Sequence, residues 1–252
     1  MTDTYQVVTR SPAGADDSFP DPNRCSGCTV GDLCIAAGSD NNTLARLDDM
    51  LKVREPIDDS TVVIRRNDPF KGLLAVRDGC FKSFLTDRNG DEQVLGFHFA
   101  GELIGLDAVK AGRYRADVMA LGQSALCLLD YQELLNLSSC SLQLQRQLFG
   151  LFSERLAGQN WRGTELSAEE KIAGFLLDVS SRLTERGQSG SDFTLRMSRR
   201  DIGDYLGLAT ETVSRVFRRL HEQGLIDVRR KRVRLVRQDD LASLAESVLE
   251  RR

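Results

Sequence analysis

Cys25, Cys28 and Cys34 stand within ten residues, in the run Cys25-Ser-Gly-Cys28-Thr-Val-Gly-Asp-Leu-Cys34. Small residues between the thiols let a chain wrap a metal centre, so the run reads as a ligand loop for zinc or an iron–sulfur group, or as a thiol switch. A second chemical constellation lies near the other end. Glu211, Ser214, Arg215 and Arg218 follow at i, i+3, i+4 and i+7, which places them on one face of a helix, with Val213, Val216 and Leu220 on the opposite face. An arginine can make paired hydrogen bonds to guanine, a glutamate can accept from cytosine N4, and a serine is short enough to let a helix sit deep in a major groove.

The elements around these residues suit that task. Arg199 to Arg218 reads as a helix, a tight glycine turn and a second helix: Gly203 permits close approach of the two helices, Gly207 can take the left-handed turn, and Val213 returns the second helix to the core. An ordinary helical hairpin with a solvated charged face is the plain alternative. Downstream, Leu225–Val228 and Val233–Val236 read as strands of a hairpin whose tip is Arg229-Arg230-Lys231-Arg232, a wing suited to phosphate contacts. Thr210, Arg199, Arg230 and Lys231 therefore join the candidate DNA contacts. From Leu195 to Arg237 twelve basic residues face five acidic ones, a net +7; the whole chain is at −3, so the remainder carries −10. That asymmetry marks one nucleic-acid-binding domain on an otherwise acidic protein.

At 252 residues with 41% hydrophobic residues the chain can hold two cored domains. It has no 18-residue apolar run and no signal peptide, so a soluble, cytoplasmic protein without membrane contact is expected, and its six cysteines are expected as thiols or ligands rather than disulfides. Only two histidines exist, His98 and His221, with no phosphate loop or nucleophile motif beside them, which argues against an enzyme.

Along the chain, residues 1–24 are rich in Pro, Ser, Gly and Asp and are expected to lack fixed structure; the cysteine segment covers 25–41. Asn42–Val53 has a helical apolar pattern through Leu44, Leu47, Met50 and Leu51. Thr61–Ile64, Leu73–Val76, Phe81–Leu85, Gln93–Phe99, Asp117–Leu121 and Ala125–Leu129 then read as short strands of an antiparallel roll or barrel within 42–138, with Arg88–Asp91 as one hairpin turn. Tyr131–Leu137 reads as helical. A long helix over Leu142–Trp161, within a segment 139–165, carries the stripe Leu144, Leu148, Leu151, Phe152, Leu156; the stripe suits a dimer seam or packing on the roll. Helices over Glu169–Arg186 and Asp240–Leu249 bracket a C-terminal domain, 166–252.

Taken together, three features make the chain resemble the FNR-type branch of the regulators built like the cyclic-AMP receptor protein. They are the spacing Cys25-x2-Cys28-x5-Cys34, the run Gly90-Asp-Glu-Gln-Val-Leu-Gly-Phe-His98, and Arg200-Asp-Ile-Gly-Asp-Tyr-Leu-Gly-Leu208 followed by Glu211-Thr-Val-Ser-Arg215. The resemblance covers nearly everything after Arg24. It implies an α+β protein: a cyclic-nucleotide-binding-like β-roll, a long dimerisation helix and a C-terminal winged helix-turn-helix. It further implies a [4Fe-4S] cluster held by the three N-terminal cysteines and a distant one, which matches Cys127; spacing alone does not choose among Cys80, Cys127 and Cys140. The implied function is control of anaerobic gene expression by a homodimer on double-stranded DNA, reading TTGAT-N4-ATCAA-type sites through Glu211, Ser214 and Arg215. RNA polymerase is the implied partner of the surface near Asn89–Asp91. Two departures stand out. Ala209 replaces a hydroxyl residue that would cap the recognition helix, a loss of ~1 kcal/mol at most. Gly101-Glu-Leu-Ile-Gly105 is followed by no Arg-Ser pair, so no cyclic nucleotide is expected.

Overall fold

The computed structural model describes residues 24–157 and 166–246. The expected unstructured N-terminus, up to residue 23, lies outside these residues, as do 158–165 of the expected long helix. The chain divides into two compact units, Met1–Ser83 with Phe97–Phe152 and Phe84–Gly96 with Ser153–Arg252.

Two 3-10 turns, Cys25–Gly27 and Gly31–Leu33, carry the cysteine run into α1 (Asn41–Met50). The Asp40 carboxylate caps α1 by accepting from the Thr43 N–H at 2.7 Å, satisfying a donor that the first turn leaves without a partner. The helix stops at Met50. Leu51 and Val53, which continue its apolar period, belong instead to β1 (Leu51–Ile57), where they pair with Leu129 and Cys127. Long-range pairing overrides the local helical pattern here.

The following strands are β2 (Val62–Ile64), β3 (Gly72–Asp78), β4 (Cys80–Thr86), β5 (Glu92–Phe99), β6 (Leu103–Ile104), β7 (Asp117–Ala120) and β8 (Ser124–Asp130). They form two four-stranded sheets ordered β1-β8-β3-β6 and β2-β7-β4-β5, the roll that the alternating segments predicted. One apolar cluster, with Val63, Phe81, Val118 and Leu126, fills its interior. A second joins Leu73, Ala75 and Leu129 of the first sheet to Leu47 of α1, Leu134 and Leu137 of α2 (Tyr131–Ser138) and Leu144 of α3 (Leu142–Ala157). The expected stripe on α3 therefore turns inward: Leu144 is wholly buried, and Leu148 and Leu151 pack against the same cluster. Leu142 and Phe149, seven residues apart, are 62% and 74% exposed, so the open apolar face of α3 is a different one.

The second unit holds α4 (Ala168–Glu185), β9 (Asp192–Thr194), α5 (Arg199–Leu206), α6 (Thr210–Glu222), β10 (Ile226–Arg229), β11 (Arg232–Leu235) and α7 (Gln238–Leu244). Capping boxes start α4 at Ser167 with Glu170 and α5 at Ser198 with Asp201. Ile172, Phe175, Leu176, Ile202, Val213 and Leu220 form its buried core. The strands β10-β11-β9 make a small antiparallel sheet. The pairing of β9 was not read from the sequence: its three residues acquire a strand partner only from β11, about forty residues later.

Candidate metal centre and nucleic-acid interface

Cys25, Cys28, Cys34 and Cys127 line one pocket of about 400 Å³, mouth included, walled otherwise mainly by apolar groups such as Ile35, Ala75 and Leu129. The first three come from the loop ahead of α1. Cys127 comes from the middle of β8, between Val53 of β1 and Ala75 of β3. None of the six cysteines is in a disulfide. Cys80 is completely buried and Cys140 is exposed between α2 and α3; neither lines this pocket.

Asp48 of α1 fixes the front of the loop, accepting from the Cys25 N–H at 2.5 Å and from the Ser26 hydroxyl at 3.0 Å. Burial first, then the Asp48 carboxylate, push the Cys25 thiol up to about 12. Burial likewise raises Cys34 to about 11, and raises Cys127 to about 12 against the opposing charge of Arg77, which also faces the pocket. These thiols are protonated at neutral pH, and any metal group they hold must displace protons. Among the described residues no three His, Cys, Asp or Glu side chains lie close enough to share a single metal ion. Four cysteines are a donor set for a tetrahedral zinc as well as for an iron–sulfur cluster. An all-cysteine donor set in an apolar cradle fits the cluster.

In the second unit the helix pair has the geometry that the glycines predicted. A Cβ on Gly203 would stand 2.5 Å from the Leu208 carbonyl oxygen, so only glycine lets the turn cross there, and Gly207 ends α5 at φ 68°. Val213, Val216, Phe217 and Leu220 bury one side of α6. Glu211, Ser214, Arg215 and Arg218 are exposed on the other, and Thr210 is half-buried at its start. Ser214 donates back to the Thr210 carbonyl at 3.0 Å, and Arg215 reaches Thr212 Oγ1 at 3.3 Å. Ala209 precedes α6 with no side-chain cap, as expected. Arg219 bridges to Glu169 of α4, fixing the recognition helix to its scaffold.

Arg199 stands differently from the other candidates. Its guanidinium lies 3.3 Å over the Phe217 ring, and burial there brings its pKa down to about 10; this contact supports α6 from behind. In the wing, Arg232 and Arg234 both pair with Asp192, and the hydrogen bond from Arg232 leads in pulling that half-buried carboxyl down to about 2. The tip is left to Arg230, at φ 58°, and Lys231, both exposed; Lys231 Nζ also donates to the Arg196 carbonyl at 3.3 Å. The pairing of Arg232 and Arg234 is invisible in a charge count because Asp192 lies outside the basic segment. His98 is buried with Nε2 3.1 Å from Ser83 Oγ, a satisfied core histidine.

A β-roll followed by an exposed recognition helix and a basic wing defines a DNA-binding transcription regulator. The Crp-like helix-turn-helix domain family matches residues 170–246, and the cyclic nucleotide-binding domain family matches 54–139. The chain is 37% identical over 224 residues to electron transport regulator A of Shewanella oneidensis, covering 88% of this chain and 90% of that protein. It is 36% identical, with the same coverage, to the fumarate and nitrate reduction regulatory protein of Escherichia coli K12. The solved structure of FixK2 from Bradyrhizobium japonicum superposes with a TM-score of 0.69 at 27% identity, over 77% of this chain and 96% of that one. The chain thus belongs to the CRP/FNR family, in its FNR-type branch, whose members regulate transcription and are not enzymes. Among the described residues no helix is long and apolar enough to cross a membrane.

Proposed function

We propose that the chain is an oxygen-responsive regulator of anaerobic gene expression that binds TTGAT-N4-ATCAA-type sites as a homodimer when Cys25, Cys28, Cys34 and Cys127 hold a [4Fe-4S] cluster. The observation that carries the reading is the meeting of three loop cysteines with one from the middle of β8 at a single apolar pocket. When bound, the cluster supplies an oxidisable iron centre and a covalent tie between loop and strand. The chain's own residues do the rest. Asp48 orients the front of the loop, Ile35 and Ala36 anchor its end in the core, and the apolar walls limit water. Leu142 and Phe149 offer the exposed apolar face through which a second subunit is joined. Pairing sets two recognition helices about 34 Å apart, one turn of DNA. Glu211, Ser214 and Arg215 then read the base edges, while Thr210, Arg218, Arg230 and Lys231 hold the phosphate backbone and Arg199 steadies α6. A coupling of ~1–3 kcal/mol between loop order and pairing is enough for a switch. No cyclic nucleotide takes part, RNA polymerase is met near Asn89–Asp91, and the protein works in the cytoplasm.

The test is the visible spectrum of anaerobically purified protein, followed into air with size-exclusion chromatography at both ends and with binding to TTGAT and TGTGA half-sites. A brown protein that bleaches as dimer becomes monomer, and that prefers TTGAT, supports the reading. A colourless protein with zinc or free thiols and an unchanged dimer defeats the cluster and leaves a zinc- or thiol-based regulator of the same fold.

A further inference from the structure

The cysteine loop ends against α3. Ile35 and Ala36, just beyond Cys34, are buried in the same apolar cluster as Leu144. Gln147, three residues after Leu144, donates from Nε2 to the backbone carbonyl of Cys34 at 3.1 Å. Gln143, one turn earlier, fills the space beside Gly38: a Cβ there would stand 2.8 Å from its Nε2, and Gly38 turns the chain away at φ +68°. Gln147 thus bonds the back of the loop, and Gln143 of the same helix packs beside it.

We propose that Gln147 is the positioning residue through which order in the cysteine loop reaches α3. The proposal rests on the reading of that loop as cluster-holding and of the exposed face of α3 as the subunit seam. Apolar contacts such as Ile35 on Leu144 tolerate changes of direction, whereas a hydrogen bond weakens steeply once its angle falls. The acceptor belongs to Cys34 itself, so a rotation of that residue that redirects its thiol also swings the carbonyl away from Nε2. Gln147 therefore registers the state of the loop more sharply than the core beneath it. Phe149 lies two residues further on, about 200° around the helix. A helix held by Gln147 on the loop is held with Phe149 facing out.

The variant is Gln147→Met, of similar length but with no donor. Sedimentation under anaerobic conditions gives dimer dissociation constants for the cluster-loaded and cluster-free forms of wild type and variant, with loading measured by iron, sulfide and absorbance. The variant is expected to load fully, to match wild type in the cluster-free form, and to lose roughly threefold to tenfold per subunit of the tightening that loading brings, the worth of one neutral hydrogen bond. Amide exchange at Ile35 and Ala36 in the loaded variant should quicken. An equal loaded-to-free ratio in variant and wild type overturns the proposal. A wild type that does not tighten on loading overturns the proposed function instead. If both Gln147→Met and Gln147→Asn, which is too short to reach, fail to load, Gln147 builds the site rather than transmitting its state, and the proposal falls.

Discussion

Replacing Gly203 by Ala separates the stability of the helix pair from its DNA-reading geometry. The added Cβ would stand 2.5 Å from the Leu208 carbonyl oxygen and 3.5 Å from Val213 Cγ2. The first neighbour is backbone in a turn that is itself tied to residue 203, since the Leu208 N–H donates to the Gly203 carbonyl at 2.9 Å. The turn therefore cannot retreat without weakening that bond. Forced overpacking costs about 1–3 kcal/mol, and the better helix propensity of Ala returns about 0.5–1, leaving a net loss of roughly 0–2.5 kcal/mol, centred a little above 1. Affinity should fall further than stability, because a tilted α6 misaligns base contacts worth about 1–3 kcal/mol each. Gly207→Ala is the matched control. Nothing lies within 4 Å of its Cβ, and only the left-handed φ of +68° opposes it, a strain of about 1 kcal/mol. Urea unfolding by circular dichroism and anisotropy titration of labelled DNA give the two quantities separately. Gly207→Ala should lose stability and keep affinity; Gly203→Ala should lose both. A Gly203→Ala protein with wild-type midpoint and affinity would refute the close-approach argument.

Three further outcomes are expected. Arg215→Ala should weaken binding by about 1–3 kcal/mol and relax choice at one base pair, while Arg230→Ala should weaken all sequences alike and reduce the salt slope of log affinity by about one; single-base DNA variants at several salt concentrations distinguish them. Cys25 and Cys127 are raised to about 12 and Cys34 to about 11, above the ~8.5 of a free thiol. The cluster-free fold thus keeps what these neutral thiols contribute below about pH 8.5 and loses it as pH climbs through 11 to 12. At pH 8 such a thiol, at 12, has roughly 2,000-fold less thiolate than a free one, partly offset by its greater nucleophilicity, so mass-mapped alkylation should run roughly 50-fold slower; labelling of Cys25 as fast as that of exposed Cys140 would contradict the burial. Ala209→Ser should supply the missing cap of α6 and raise stability by about 0.5–1 kcal/mol, read as a higher urea midpoint.

Most of the DNA-reading unit was legible in the chain because its devices are local. Gly203, Gly207 and the i, i+3, i+4, i+7 face of α6 act within twenty residues, and helical period with turn chemistry suffices to place them. The same holds for the wing, whose strands are joined by a tip of two residues. The three loop cysteines were legible as a closely spaced thiol run for the same reason, and the roll's strands through their alternation. The helical pattern that ran through to Val53 misled because Leu51 and Val53 suit either period, and nothing nearby declares that β8, more than seventy residues later, will pair with them.

Three matters required the folded chain. Which distant cysteine faces the loop depends on the register of β8 between β1 and β3, which puts Cys127 at the pocket while Cys80 is buried elsewhere and Cys140 is exposed. Which face of α3 stays open depends on what fills the core: Leu144, Leu148 and Leu151 are drawn inward by the sheet and α2, leaving Leu142 and Phe149 outside. Which wing arginines are drawn into ion pairs depends on Asp192, which β9 carries beside Arg232 and Arg234. Residue types and short spacings specify local geometry and the chemistry on offer; contacts across forty to a hundred residues arise from sheet register and core packing, whose energies belong to pairs that no single stretch of sequence contains.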